Sequence, residues 1–142
     1  NKGTLYDLTL LNKIETVDGE LVKAYDPKFK SELSDVSDQT WNLVHQGMKN
    51  MVKNSAVFRP LRQKNFSMSG KTGLHPNHAL FTGFAPSENP EIALSVRIAN
   101  GAKSAFASEI GRDIVRYYFQ LADESEIIHN QASSVTSETI GD

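Results

Sequence analysis

Ser69-Gly70-Lys71-Thr72-Gly73 sets a cation, a hydroxyl and a residue with no side chain next to one another. At the end of a β-strand, such a trio suits a ligand bearing a carboxylate and an amide that must be aligned along the strand. Gly73 matters in that reading because a missing side chain lets a ligand backbone approach closely. Taken alone, the tripeptide is weak evidence, and a strand end with an exposed lysine is the simpler description. His75 and His78 are three apart, but on a turn leading into a strand they do not share a helical face, and no carboxylate cluster stands beside them. Neither a metal nor a cofactor is implied. Ser87-Glu88-Asn89 matches Ser-x-Asn but lies between Pro86 and Pro90, as a turn would. No serine stands three places before any lysine. His45 and His129 are isolated and read as surface or capping residues; Trp41, Met48 and Met51 read as helix packing.

Three strand-like segments carry these residues: Phe66 to Thr72, His78 to Ala85 and Glu91 to Ala99. Their short connections make them antiparallel neighbours. In the last, Ile92, Leu94, Val96 and Ile98 alternate with Ala93, Ser95, Arg97 and Ala99, which turns one apolar face toward a core. Upstream, Trp41, Val44, Met48, Met51 and Val52 fall on one helical face, predicting a helix from about Thr40 to Val52 with Ser37 or Asp38 as its cap. Downstream, Phe106, Ile110, Ile114, Tyr117, Tyr118 and Leu121 predict a helix from about Ser104 to Leu121 that covers the sheet with this stripe. Asp18-Gly19 suggests a hairpin within Leu5 to Tyr25. Asp26 to Asp38 reads as an irregular connection, and Asn54 to Asn65, with Arg59, Arg62 and Lys64, as a solvated loop. Residues 122–142 are polar and are expected to remain disordered.

The composition is that of an ordinary globular chain: 142 residues, 39% hydrophobic and 23% charged, enough for one modest core. A net charge of -2 gives no reason to expect nucleic acid. Without cysteine, disulfides and thiolate metal sites are excluded. No apolar run approaches the roughly 18 residues of a membrane span, so the chain as given is expected to be soluble.

The ordered set of segments resembles the C-terminal part of penicillin-binding proteins. Gly70-Lys71-Thr72-Gly73 is followed by His78-Ala79-Leu80-Phe81, Gly83-Phe84-Ala85-Pro86, Asn89-Pro90-Glu91-Ile92-Ala93, Asn100-Gly101 and a helix ending Tyr117-Tyr118-Phe119. Upstream, Gly3-Thr4-Leu5, the Asp18-Gly19 turn and Gly47-Met48 extend the likeness, which runs from about Gly3 to Phe119. The resemblance implies an α+β fold, an antiparallel sheet of three central strands with flanking helices. Residues 1–121 would be the C-terminal part of a transpeptidase domain, a fragment of the serine β-lactamase and penicillin-binding fold. The missing part would hold an N-terminal strand pair and a helical lobe with the nucleophilic serine.

Family membership implies acyl transfer, in which a Ser-x-x-Lys serine attacks the D-Ala-D-Ala end of a peptidoglycan stem peptide or a β-lactam ring. Carried over, Lys71 supports the positive field, Thr72 binds the substrate carboxylate and Gly73 permits close approach. Leu74 offers a backbone N–H to the oxyanion hole, where one donor is worth about 2.7 to 4 kcal/mol. The family usually has a hydroxyl residue at this last position, so a second hydroxyl contact is lost here. With no nucleophile among these residues, the chain alone is expected to be inactive, while the parent cross-links peptidoglycan outside the bacterial cytoplasmic membrane, anchored by an upstream segment. The rival is a noncatalytic binding module that kept the sheet. An exposed sheet edge further suggests self-association.

Overall fold

The computed structural model describes residues 1–132, with side chains to 128. The chain falls into two compact units, Asn1–Leu43 and Val44–Asp142.

The first unit is built from two ribbons. Strand β1 (Thr4–Tyr6) pairs with β4 (Phe29–Glu32), and β2 (Lys13–Glu15) pairs with β3 (Leu21–Ala24), all antiparallel. The expected hairpin is therefore the β2–β3 pair, turned at Gly19 with its positive φ of 86°. The stretch read as an irregular connection contains β4, which pairs with β1 so that the backbone groups facing each other are satisfied. Gly3, at φ 88°, packs so closely on Leu33 and Trp41 that an added Cβ would lie 2.9 Å from each. No residue of this unit is buried.

Helix α1 (Asp38–Asn54) begins in the first unit and continues into the second. Ser37 caps it, its hydroxyl accepting from the Thr40 backbone N–H at 3.2 Å. Residues 54–65, expected to be a solvated loop, form a short 3-10 turn (Ala56–Phe58) and helix α2 (Arg59–Gln63). Phe58 and Leu61 are essentially inaccessible, so two apolar residues among the basic ones decide the fate of this segment.

The second unit centres on an antiparallel sheet of order β5 (Ser69–His75), β6 (His78–Ala85), β7 (Ile92–Ala99). The β5–β6 hairpin is in continuous register from Ser69↔Phe84 to His75↔His78, closed by Pro76 and by Asn77 at φ 72°. Helix α3 (Ser104–Tyr118) covers one face. That face presents Phe81, whose ring fits where Gly70, Gly83 and Gly111 have no side chains; an added Cβ on Gly70 or Gly111 would lie 2.5 or 2.6 Å from it. Phe58 packs against the same ring with centroids 5.4 Å apart. The core of Phe58, Leu61, Met68, Ala79, Phe81, Val96 and Val115 is assembled around it.

The α3 stripe differs from the sequence expectation. Its buried face includes Ala107, Ser108, Gly111 and Val115, and of the expected stripe Ile110 and Leu121 pack against the core, whereas Phe106, Ile114, Tyr117 and Tyr118 are exposed. A helix that approaches a sheet this closely needs small residues at the contact, and the sheet supplies the bulk through Phe81. The polar tail also differs, since helix α4 spans Glu124–Ala132 and Glu126 reaches Arg116 of α3 at 3.1 Å. Arg116 and Arg112 both bind the buried carboxylate of Asp113, and Arg112 Nη1 also donates to the Val57 carbonyl at 3.0 Å. This ionic cluster ties α3 to the 3-10 turn and to α4; residues 133–142 lie outside the described residues.

Candidate functional site

Strand β5 is an edge strand, paired on one side only with β6 among the described residues. Lys71, Thr72, Gly73 and Leu74 all lie inside it; the strand begins three residues later than predicted and runs on to His75. The two-residue turn explains the shift, because closing it at Pro76-Asn77 pairs every residue back to Ser69.

Side chains alternate along a strand, and directly paired residues share a face. Gly70, Thr72 and Leu74 thus share the α3 face with Gly83, Phe81 and Ala79, while Lys71 and Gly73 share the open face with Thr82 and Leu80. Lys71 is exposed there, beside exposed Thr82 and Ser95 of the next strands. Its ammonium donates to the Thr72 carbonyl at 2.8 Å. Thr72 is half-buried on the opposite face, so the cation and the hydroxyl leave the strand on opposite sides. Leu74 is 63% exposed.

Two glycines three residues apart are constrained differently. A Cβ on Gly70 would collide with the Phe81 ring and approach the Thr82 carbonyl at 3.0 Å, so the fold itself requires Gly70. A Cβ on Gly73 would come no closer than 3.3 Å, and only to the partly exposed Leu80 side chain. Packing within this chain does not demand a glycine at 73.

The other sequence candidates are mostly accounted for by structure. Ser87 and Glu88 fasten the β6–β7 turn to Ser67, to Ser69 at the start of β5 and to Lys49 of α1. Ser69 Oγ donates to Ser87 Oγ at 2.9 Å, the Ser87 N–H donates to Ser67 Oγ at 3.1 Å, and Glu88 accepts from Ser67 Oγ and Lys49 Nζ. Hydrogen bonds from Lys49 and Ser67 hold the Glu88 carboxyl below its usual range. The Ser-x-Asn match is a staple of this turn. His78 accepts at Nε2 from Arg97 Nη2 at 3.0 Å, which places its ring proton on Nδ1, a buried atom with no partner among the described residues. His75 stacks on it with centroids 6.3 Å apart. No group of three or more His, Asp or Glu able to hold a metal occurs among the described residues. His45 packs edge-on against Phe84, and the side chain of His129 lies outside the described residues. The feature sequence reasoning missed is the buried Asp113 cluster, whose Arg-Asp-x-x-Arg spacing places Asp113 and Arg116 one helical turn apart.

The sequence profile of the penicillin binding protein transpeptidase domain matches residues 1–116. The peptidoglycan D,D-transpeptidase MrdA of Haemophilus influenzae is 25% identical over 130 residues, covering 74% of this chain and 20% of that protein. Its namesake from Acinetobacter baumannii is 26% identical over 102 residues, covering 58% and 15% respectively. The chain thus spans about a fifth or less of the length of these curated relatives. Among solved structures, penicillin-binding protein 2B of Streptococcus pneumoniae matches at 27% identity with a TM-score of 0.63, over 83% of this chain and 21% of its own. Penicillin-binding protein A of M. tuberculosis, solved as an imipenem acyl-enzyme complex, shares the fold at a TM-score of 0.65 and 24% identity, over 84% of this chain and 28% of its own. No helix among the described residues is long and apolar enough to cross a membrane.

Proposed function

The chain belongs to the penicillin-binding protein transpeptidase domain family, and from that premise we propose that it forms one wall of the acyl-transfer pocket of a peptidoglycan D,D-transpeptidase. The observation that carries the reading is an exposed Lys71 on an edge strand whose outer side is unpaired among the described residues, with a nearby glycine, Gly73, that the packing of these residues does not require. A peptide with a C-terminal carboxylate, or a β-lactam that mimics one, would lie along that edge. Lys71 would contribute positive field and exchange its contact with the Thr72 carbonyl for the ligand network. Thr72 would bind the carboxylate, and Gly73 would let the substrate backbone come close. The Leu74 N–H would donate to the developing oxyanion, and its exposed aliphatic side chain would replace the usual hydroxyl at the pocket mouth.

The reaction further needs a serine nucleophile, which we assign to a Ser-x-x-Lys element of the parent protein outside these residues. The parent would act on the extracytoplasmic side of the bacterial membrane, on stem peptides, and be acylated by β-lactams. The 142 residues alone would not form the covalent intermediate, and in isolation the open edge of β5 would favour self-association.

Fluorescent penicillin tests this. The parent should retain the label on a denaturing gel, and Lys71→Ala in the parent should reduce acylation by about 10²-fold or more, the scale of losing an electrostatic contact made in the transition state. The isolated chain should retain none. A parent that never labels, with its sheet intact, would instead indicate a noncatalytic binding module.

A further inference from the structure

A groove of about 300 Å3 opens in the second unit between the end of α1, helix α2 and the residues leading into β5. Its floor is apolar. Val52, Leu61 and Met68 are nearly inaccessible at 4%, 1% and 2%, and half-buried Phe66 flanks them. The rim is cationic, and its charges are unequally compensated. Lys49 is neutralised by Glu88. Lys53 has no carboxylate partner among the described residues, and Arg62 uses Nη1 alone, donating to the carbonyls of Ser55 at 2.7 Å and Val52 at 3.3 Å.

Carbonyl oxygens orient a guanidinium without cancelling its charge. They leave Nε and Nη2 of Arg62, the two donors that form a side-on fork, available for a planar, singly charged acceptor. Net positive charge above an apolar floor is the complement of an amphiphile with an anionic head. From this we infer that the groove is a binding site for a medium-chain aliphatic carboxylate, its head between Lys53 and the open fork of Arg62 and its chain over Val52, Leu61 and Met68. The volume lies at the small end of ligand cavities, with room for a chain of roughly eight to ten carbons. Met68 and Ser67 lead directly into β5, so an occupied groove would also steady the start of the strand that carries Lys71. The inference rests on local charge and packing and does not depend on the transpeptidase reading.

Titrating the 142-residue chain with decanoate, followed by amide NMR, tests the site. Saturable shifts are expected for residues 52–68, and decanol at the same concentrations should produce none that saturate. Lys53→Glu, at an exposed position, should weaken decanoate binding by about tenfold or more, and Arg62→Lys, which keeps the charge but removes the fork, by a smaller factor. For the unaltered chain, added salt should weaken binding. Equal binding of decanol, undiminished binding by Lys53→Glu, insensitivity to salt, or shifts confined to other residues would each overturn the assignment. Preference for an acidic peptide over decanoate would overturn it in favour of a protein partner.

Discussion

The two units use the same kinds of residue to opposite ends. The second surrounds one phenylalanine with three glycines and closes a core over it. The first contains Leu8, Leu10 and Val17 at 103%, 107% and 105% exposure, and its ribbons are held by backbone pairing without any buried side chain. Two-stranded ribbons of this kind are marginal by themselves, since hydrogen bonds exchanged with water contribute little net stability and apolar burial contributes most of it. Strand pairing and stability are therefore separable within one chain: the first unit has regular pairing and almost nothing to enforce it.

The comparison is broken most forcefully at Phe81. Phe81→Ala should destabilise the second unit by about 3 to 5 kcal/mol, read as a lowered urea midpoint, because it empties the space that Gly70, Gly83 and Gly111 enclose. Asp113→Ala should cost about 3 kcal/mol, since it takes the buried carboxylate from the largely buried Arg112 and leaves Arg116 only the more exposed Glu126. In hydrogen exchange this should loosen α3 together with the 3-10 turn. A smaller and more discriminating change separates the two glycines of β5. Gly70→Ala should destabilise by about 1 to 3 kcal/mol through overpacking on Phe81, while Gly73→Ala should change stability by less than about 1 kcal/mol and lower β-lactam acylation of the parent. Equal thermal melts for the two variants would remove the argument that Gly73 is kept for a ligand.

In the first unit, Leu10→Ser or Val17→Ser should shift stability by no more than about 0.5 kcal/mol, as nothing is packed on either side chain. The smallest effect concerns one surface ion pair in each unit. Hydrogen bonding to Lys2 and its charge lower the Asp38 pKa, and hydrogen bonds from Lys49 and Ser67 lower that of Glu88. A carboxyl with a depressed folded-state pKa lends stability above its unfolded value and loses it as pH falls through the folded one. Acidification should thus release both contacts, with added salt weakening them beforehand; NMR titration of the two carboxyl groups reads this directly.

Much of the sheet was legible from the residues. The alternation of Ile92, Leu94, Val96 and Ile98 specified the covered face of β7, and the bounds of β6 follow from its apolar run. The end of β5 was not legible, because Leu74 and His75 carry no strand signal and are enrolled by the register of a partner. Helix α2 was obscured because Arg59, Arg62 and Lys64 dominate its composition, although Phe58 and Leu61 anchor the segment. Helix α4 gave little local signal, and its first turn is held by Glu126 on Arg116. At the candidate site, the types and order of Lys71, Thr72, Gly73 and Leu74 were readable, while their division between two faces was hidden until the pairing was known.

The sequence by itself, through the order of its motifs, carried the family resemblance, and local chemistry determined the three strands and the residues that bear a charge, a hydroxyl or no side chain at the candidate edge. These depend on residue type and short-range period, which a chain states directly. Tertiary structure decided which glycine the fold needs, which stripe of α3 is buried and which cations lack a counter-charge. Each of those depends on the distance between residues remote in the chain, and no local pattern encodes a distance.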